Sequence, residues 1–265
     1  MRRRRQNSRG RQGRGSRQGK RYPLLDVIRG ITVISMILYH GSWDMVYLAG
    51  ADWPWYRSDA AHLWQQSICW TFLLLSGYCM SLSFRKWRRG AVVFAAGLLV
   101  TAATVVFLPE DRVVFGVLTF LGSAMLLTAL LQSLLERIPP LAGLCLSGAL
   151  FYAFRRVNDG MLQLPSGNAV PLPGAWYHGM AATYLGFTDP GFYSTDYFSV
   201  LPWIFLFWAG LYAGLWMKRA GDWKETLLRL DVPPLSFLGQ HSLIIYLLHQ
   251  PVLYMAVVLA GKVRG

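Results

Sequence analysis

Long apolar stretches recur along the chain between short polar segments, and seven of them are long enough, or nearly long enough, to cross a bilayer. An α-helix rises about 1.5 Å per residue and a hydrocarbon core is about 30 Å thick, so a spanning helix needs about 20 residues. The pattern predicts an all-α fold, a polytopic membrane helix bundle with about seven transmembrane helices. The predicted spans are residues 24–48, 63–84, 91–108, 113–135, 140–155, 197–217 and 237–260.

The first apolar stretch carries four ionisable side chains, those of Asp26, Arg29, His40 and Asp44. At 100° per helical residue, the four positions fall within about 60° of one another, so they share one stripe of the helix. A charged side chain that faces lipid at mid-membrane costs from about 2.5 to more than 10 kcal/mol. We therefore expect the stripe to face the inside of the bundle and to line a site.

The composition agrees with a membrane protein, since 54% of the residues are hydrophobic and 14% are aromatic. Much of the net charge of +13 comes from the N-terminus, because residues 1–22 hold ten of the 26 Lys and Arg and no acid. We expect residues 1–22 to be a disordered, basic cytoplasmic tail and residues 23–262 to be one transmembrane domain. The predicted partner of the tail is the lipid bilayer, with no specific nucleic acid, and an RNA-binding tail is the alternative.

Basic residues between the predicted spans indicate the orientation of the bundle. With seven crossings, the tail, the cluster at residues 85–89 and the basic residues at 218–224 fall on one side. Positively charged loops stay in the cytoplasm, so the N-terminus is predicted inside and the C-terminus outside. The long connection 155–196 is then an outer loop, and its length and aromatic residues favour an ordered lid.

His40 and Asp44 stand four residues apart on one helix face. A carboxylate in that position can hold one imidazole nitrogen and raise the basicity of the other, as a general base requires. The alternative is a structural hydrogen bond between helices. Two more histidines fall on the same side: His62 opens the second span, and His249, followed by Gln250, precedes a helix-kinking proline. Neither the histidines nor the three cysteines have metal-site spacing, so no metal is predicted.

Asp26 and Arg29 stand three residues apart at the inner end of the first span. Their spacing fits an arginine that its carboxylate orients towards a phosphate. It fits equally an ion pair that anchors the helix at the membrane surface. Arg85, Arg88 and Arg89 would add phosphate affinity from the same side, although a plain cytoplasmic loop also explains them.

Six sequence blocks resemble a known family in the same order from about residue 22 to 258. They are LDVIRG, ILYHGSWDM, FLLLSGYCMSLS with the basic RKWRRG, VVFGVLTFLGSAMLL, STDYFSVLPWIFLFWAGLYAG and LSFLGQHSLIIYLLHQPVLY. They are similar to the DUF1624 family, the bacterial relative of the heparan-alpha-glucosaminide N-acetyltransferase catalytic domain, within the transmembrane acyltransferase superfamily. The resemblance implies a multi-pass protein of a bacterial-type inner membrane.

The resemblance also implies acyl transfer across the bilayer. The co-substrate would be acetyl-CoA or another acyl-CoA on the cytoplasmic side, and the acceptor a small molecule or glycan on the other side. His40, oriented by Asp44, would be the base, and His62 is the alternative from the following outer segment. A homodimer is left open.

The remaining roles implied by the resemblance fall into two groups. The CoA phosphates would be held by Asp26, Arg29, Arg85, Arg88 and Arg89. The acceptor and the thioester carbonyl would be met by His249, Gln250, Asp196, Trp43 and Tyr197. The rival function is a non-enzymatic transporter or lipid-binding membrane protein that uses the charged stripe of the first helix as a proton relay.

Overall fold

The described chain is mainly helical, as the sequence predicts. The computed structural model describes residues 22–219 and 228–264, with the backbone alone at 261–264. Within these residues the α-helices are α1 (Pro23–Tyr47), α2 (Asp59–Leu82), α3 (Lys86–Phe107), α4 (Val117–Leu130), α5 (Gln132–Leu135), α6 (Pro140–Phe154), α7 (Met180–Leu185), α8 (Val200–Arg219), α9 (Pro233–Gln240) and α10 (Ser242–Arg264). Residues 1–21, for which disorder is predicted, lie outside the described residues.

Four helices are long and apolar enough to cross a membrane by length and composition. They are α1, α3, α8 and the part of α10 from Ser242 to Ala260. Helix α4 is apolar but shorter, and α6 has 15 residues. The predicted helical class is confirmed, while the number of crossings and the orientation of the termini stay predictions.

Two predicted spans differ from the observed helices. The span 113–135 is interrupted at Leu131, which separates α4 from the single turn of α5. The last span begins earlier than predicted and consists of α9 and α10, which meet at His241. The polar residues at these breaks, Gln132 and Ser133 at one and Gln240, His241 and Ser242 at the other, are too few to end an apolar stretch, so the hydrophobic pattern alone does not reveal the breaks.

Helices α1 and α9 pack so closely that their backbones touch at two glycines. A Cβ atom on Gly30 would lie 2.1 Å from the carbonyl oxygen of Leu235, and one on Gly239 would lie 1.9 Å from that of Asp26. The absence of a side chain at each glycine therefore allows the backbone of the other helix to approach, as small residues do in membrane helix pairs. Gly30 crosses Gly239, and ten residues further along both chains His40 contacts His249, so α1 runs parallel to the segment formed by α9 and α10.

Helices α2 and α8 form a second parallel pair, and two glycines again allow the helix backbones to touch. A Cβ on Gly77 would lie 1.9 Å from the carbonyl oxygen of Phe207, and one on Gly210 would lie 2.1 Å from that of Leu74. The main hydrophobic core lies beside this pair, where Leu73, Phe120 and Phe207 are fully buried. The core thus joins α2, α4 and α8.

The connection after α6 is folded rather than extended. Strands β1 (Met161–Gln163) and β2 (Ala169–Pro171) pair antiparallel, with Met161 opposite Pro171, and α7 follows them. Asn158 donates hydrogen bonds of 3.0 Å to the Gly186 carbonyl and to the Ser199 hydroxyl, which ties the start of the connection to its end. The connection therefore has internal structure of its own, as expected from its aromatic composition.

Candidate functional site

Two of the predicted histidines meet between the first and last long helices. The rings of His40 on α1 and His249 on α10 have centroids 4.9 Å apart. The ring of Tyr246, one turn before His249, lies 5.4 Å from the His249 ring. The contact brings together positions that are far apart in the sequence, on two helices that run in parallel.

A carboxylate one turn beyond His40 and the amide of the residue after His249 join the same two helices. The Gln250 Nε2 donates a hydrogen bond of 2.9 Å to Oδ1 of Asp44, and Asp44 is fully buried. An amide can donate to a carboxylate and still offer its own oxygen as an acceptor. His40, Asp44, His249 and Gln250 are called the four-residue centre below.

The tautomer of His249 is set by the backbone. Its Nδ1 lies 2.6 Å from the carbonyl oxygen of Tyr246. A carbonyl can only accept, so Nδ1 donates its proton and the neutral ring carries its lone pair on Nε2. That Nε2 atom is buried and has no hydrogen-bond partner within the described residues. The ring is therefore prepared to accept a proton from a ligand.

Unpartnered polar atoms concentrate at the four-residue centre. Within the described residues, the buried side-chain atoms without a hydrogen-bond partner are Asp44 Oδ2, His249 Nε2, Gln250 Oε1 and Thr119 Oγ1. Three of the four belong to the centre. Buried polar groups normally have partners, so a cluster of unpartnered acceptors indicates a place where a polar ligand or water binds.

The partner predicted for Asp44 is wrong. Asp44 does not hydrogen-bond with His40 in the part of the chain that the structure describes, and its Oδ1 atom is taken by Gln250 instead. The four-residue spacing puts the two side chains on one face, but the packing of α10 against α1 offers the carboxylate a closer donor. No side chain of the described residues hydrogen-bonds with His40.

The other histidine candidate lies apart from this centre. His62 is in the first turn of α2, where its side chain is exposed. No ring contact or hydrogen bond joins its side chain to the described residues. The structure therefore brings His40, and not His62, together with the other polar residues of the predicted site.

An aromatic cluster extends from His40 to the surface. The Tyr39 ring lies 5.9 Å from that of His40 and 5.2 Å from that of Tyr56, and Trp55 follows 5.6 Å beyond Tyr56. Trp53 stacks on Trp55 at 6.0 Å with an interplanar angle of 25°. The aromatic cluster comprises Tyr39, Trp43, Tyr47, Trp53, Trp55, Tyr56 and Trp64. The predicted acceptor residue Trp43 thus belongs to a larger aromatic surface.

The carboxylate of Asp196, predicted to contact an acceptor, is engaged by protein groups inside the bundle. Its Oδ2 atom accepts a hydrogen bond of 3.0 Å from the backbone N–H of Val117, at the start of α4. Its carboxylate also accepts one from the Tyr246 hydroxyl. These contacts surround a cavity of about 10 Å³, which has room for about one water molecule. Asp196 therefore links α4 to the helix that carries His249.

Tyr197 is held within the folded connection. Its hydroxyl donates a hydrogen bond of 2.5 Å to the carbonyl oxygen of Thr183 and lies 3.1 Å from the Thr188 hydroxyl. The Tyr197 hydroxyl is therefore bound by residues of the connection, and the side chain stabilises the fold of this loop. No contact joins Tyr197 to the four-residue centre within the described residues. This differs from its predicted contact with an acceptor.

The predicted ion pair near the start of α1 is present. Arg29 Nη1 lies 3.3 Å from Asp26 Oδ1, and Nη2 donates a hydrogen bond of 3.0 Å to the Cys79 sulfur on α2. The guanidinium thus has two protein partners. Arg85, Arg88 and Arg89 are exposed around the start of α3. The structure does not gather these four cations into one site.

Some residues of interest gave no clear signal in the sequence. Tyr246 supports both His249 and Asp196, yet an isolated tyrosine in an apolar helix looks like packing. Cys79 accepts a hydrogen bond from Arg29, although its sequence surroundings predict only packing. Within the described residues, no three His, Cys, Asp or Glu side chains come together as a metal site requires.

Comparison with known proteins gives one match. A family described as heparan-alpha-glucosaminide N-acetyltransferase, catalytic, matches residues 21–251. No curated protein and no solved structure matches the chain. The matched range contains every residue of the four-residue centre.

Proposed function

The chain belongs to the heparan-alpha-glucosaminide N-acetyltransferase catalytic family, and from this premise we propose a membrane acyltransferase that moves an acetyl group across the bilayer. The donor is cytoplasmic acyl-CoA, and the acceptor is an amine or hydroxyl, carried by a sugar, on the outer side. Acetyl transfer is supported by the family, whereas donor and acceptor are inferred from the resemblance and from the polar groups described above.

The observation that carries this proposal is the cluster of unpartnered acceptors at the four-residue centre. His249 Nε2, Asp44 Oδ2 and Gln250 Oε1 can accept hydrogen bonds, so they suit an acceptor substrate that brings amine or hydroxyl protons. A thioester is already activated and needs little help from the protein at its leaving group. Positioning and one base are then sufficient chemistry.

In the proposed reaction, His249 Nε2 takes the proton of the acceptor as its nitrogen or oxygen attacks the thioester carbonyl. The new N–C or O–C bond forms, the C–S bond breaks, and the CoA thiolate leaves. The proton on His249 then passes to the thiolate to give CoA. His40, whose ring lies 4.9 Å away, positions the imidazolium and the acceptor. Asp44 and Gln250 bind the remaining acceptor protons.

The proposed topology has seven crossings, with the N-terminus in the cytoplasm, the C-terminus outside and the protein in a bacterial-type inner membrane. The parallel pairs α1 with α10 and α2 with α8 agree with it. With seven alternating crossings, five spans lie between the first pair and three between the second, and spans separated by an odd number of crossings run in the same direction. The aromatic cluster then lies at the outer face. Its exposed Trp53 and Trp55 offer flat apolar surfaces of the kind on which sugar rings pack.

The test uses purified protein in nanodiscs, where both faces are accessible. Protein, acetyl-labelled acetyl-CoA and glucosamine should give labelled N-acetylglucosamine in proportion to enzyme and time. A parallel vesicle assay follows glucosamine uptake without acetyl-CoA, which the rival transporter requires. Uptake without any label transfer, together with no binding of CoA, would refute the proposal in favour of transport.

A further inference from the structure

A second polar site lies where several helices end, away from the four-residue centre. This cavity has a volume of about 310 Å³ and is formed by the end of α2, the start of α3, the residues around α5 and the end of α8. We call it the basic pocket. Its polar lining comes chiefly from Ser83, Lys86, Gln132, Glu136 and Lys218, with the Trp87 ring beside them.

Lys86 is the residue that makes the pocket unusual. Its side chain is only 13% exposed, and its ammonium group lies 3.8 Å from Glu136 Oε1, which is beyond hydrogen-bond distance. The ammonium makes no hydrogen bond within the described part of the chain. A lysine has three donors, and those of Lys86 have no protein acceptor among the described residues. They can therefore bind an acceptor that enters the pocket.

The nearest carboxylate does not supply what Lys86 lacks. Glu136 Oε1 already accepts a hydrogen bond of 2.8 Å from Gln132 Nε2, and the Glu136 side chain is about half exposed to solvent. An ion pair of that exposure and length contributes little. The charge of Lys86 is thus only partly balanced.

A second cation is fixed at the edge of the same cavity. The Lys218 ammonium donates to the backbone carbonyl of Ser81 near the end of α2, which holds it beside the pocket. The lining therefore carries two positive charges and one negative charge. In addition, no side chain caps the start of α3 at Lys86, so the first N–H groups of this helix have no side-chain acceptor.

We propose that the basic pocket binds a phosphate group, with Lys86 as its direct donor. A phosphate oxygen would give Lys86 the acceptor it lacks and would balance the net charge of the lining. The volume is at the lower end of the range for ligand sites, so it admits the phosphate with only part of the molecule that bears it. The ring of Trp87 provides a flat wall for that part.

Two sources offer this chemistry. One is the nucleotide end of acyl-CoA, an assignment that rests on the proposed function. The other is the headgroup of an anionic phospholipid, which basic pockets between helices also bind. Phosphate binding itself depends on neither assignment.

The experiment compares the wild-type chain with Lys86→Met, which keeps the length and apolar character of the stem. Arg137→Met is the matched control, because it removes an exposed cation next to Glu136 that does not line the cavity. In phosphatidylcholine nanodiscs, calorimetry measures the affinities for CoA and for pantetheine, which lacks the phosphates. Native mass spectrometry measures retention of phosphatidylglycerol. Thermal unfolding of each variant verifies that it is folded.

We expect Lys86→Met to lower the affinity for one of the two phosphate ligands by at least about tenfold and to leave the affinity for pantetheine unchanged. A loss confined to CoA assigns the pocket to the nucleotide, and a loss confined to phosphatidylglycerol assigns it to lipid. The latter outcome leaves the pocket established even when acetyl transfer fails. Equal affinities for both ligands in wild type, Lys86→Met and Arg137→Met overturn the proposal.

Discussion

Gln250 donates a hydrogen bond of 2.9 Å to Asp44 across 206 positions of the chain. This contact joins α1 to α10 beside the rings of His40 and His249, which are tilted at 59° to each other. A buried carboxylate that keeps one oxygen unpartnered is costly unless a ligand or water completes its coordination. The pair therefore connects the packing of the bundle to the proposed chemistry.

Replacement of the proposed base should abolish transfer without preventing donor binding. For His249→Ala we expect kcat for acetyl transfer to fall by about 10²- to 10⁴-fold, the usual contribution of a general base. His62→Ala should retain nearly full activity, since its side chain is exposed and apart from the centre. Initial rates and CoA affinity are measured on each variant, with exposed His178→Ala as a control for histidine removal. A larger loss in His62→Ala than in His249→Ala would contradict the assignment.

The Asp44–Gln250 contact can be tested by exchanging its two groups. Gln250→Glu places two carboxylates at hydrogen-bond distance, so we expect a lower melting temperature in detergent. Adding Asp44→Asn restores one amide and one carboxylate, and we expect recovery with a coupling energy of about 1–3 kcal/mol. Additive effects of the two substitutions in thermal unfolding would show that the residues do not interact.

The glycine contact between α1 and α9 should tolerate no side chain. Gly30→Ala puts a Cβ 2.1 Å from the Leu235 carbonyl oxygen, so the helices must separate, at a cost of about 1–3 kcal/mol or more. Gly148→Ala is the matched control in α6, since nothing lies within 4 Å of its Cβ position. That change should be neutral or stabilising, because alanine favours helix. Equal melting temperatures for the two variants would argue against the close crossing.

The aromatic cluster is expected to bind the acceptor. Trp53→Ala and Trp55→Ala should each raise the KM for glucosamine by about 3- to 10-fold and leave the KM for acetyl-CoA unchanged, because an aromatic contact contributes about 0.5–1.5 kcal/mol. Trp216→Ala, an exposed tryptophan near the end of α8, serves as the control. If only the yield of membrane-inserted protein changes, the two rings anchor the chain at the membrane surface instead.

Low pH should loosen the connection after α6. Hydrogen bonds from the backbone N–H groups of Gly179 and Gly191 hold the pKa of Asp189 below its ordinary value. Because this pKa is lowered, the ionised carboxylate stabilises the loop at pH values above its ordinary pKa of about 3.9. The stabilisation is lost as the pH falls through the lowered pKa. Amide hydrogen exchange at pH 7 should therefore be faster in Asp189→Ala, and the variant should lack the wild-type response to acid.

Sequence alone determined the helical class and most helix positions, because the length of an apolar stretch is a local property. Thus Pro23–Tyr47 and Lys86–Phe107 lie within a few residues of the predicted spans. It also determined that Asp26, Arg29, His40 and Asp44 share one face, since helical geometry fixes their angles. The ion pair of Asp26 with Arg29 followed from that spacing.

Only the tertiary structure decided which groups meet across helices. The spacing of His40 and Asp44 predicted a pair, but α10 supplies His249 to the one and Gln250 to the other. Asp196 turned inward because the start of α4 offers it a backbone donor. Among neighbouring basic residues, Lys86 lines a cavity while Arg88 is exposed, a difference set by which side of α3 faces the bundle. Such choices depend on close packing between distant segments, and no local pattern records them.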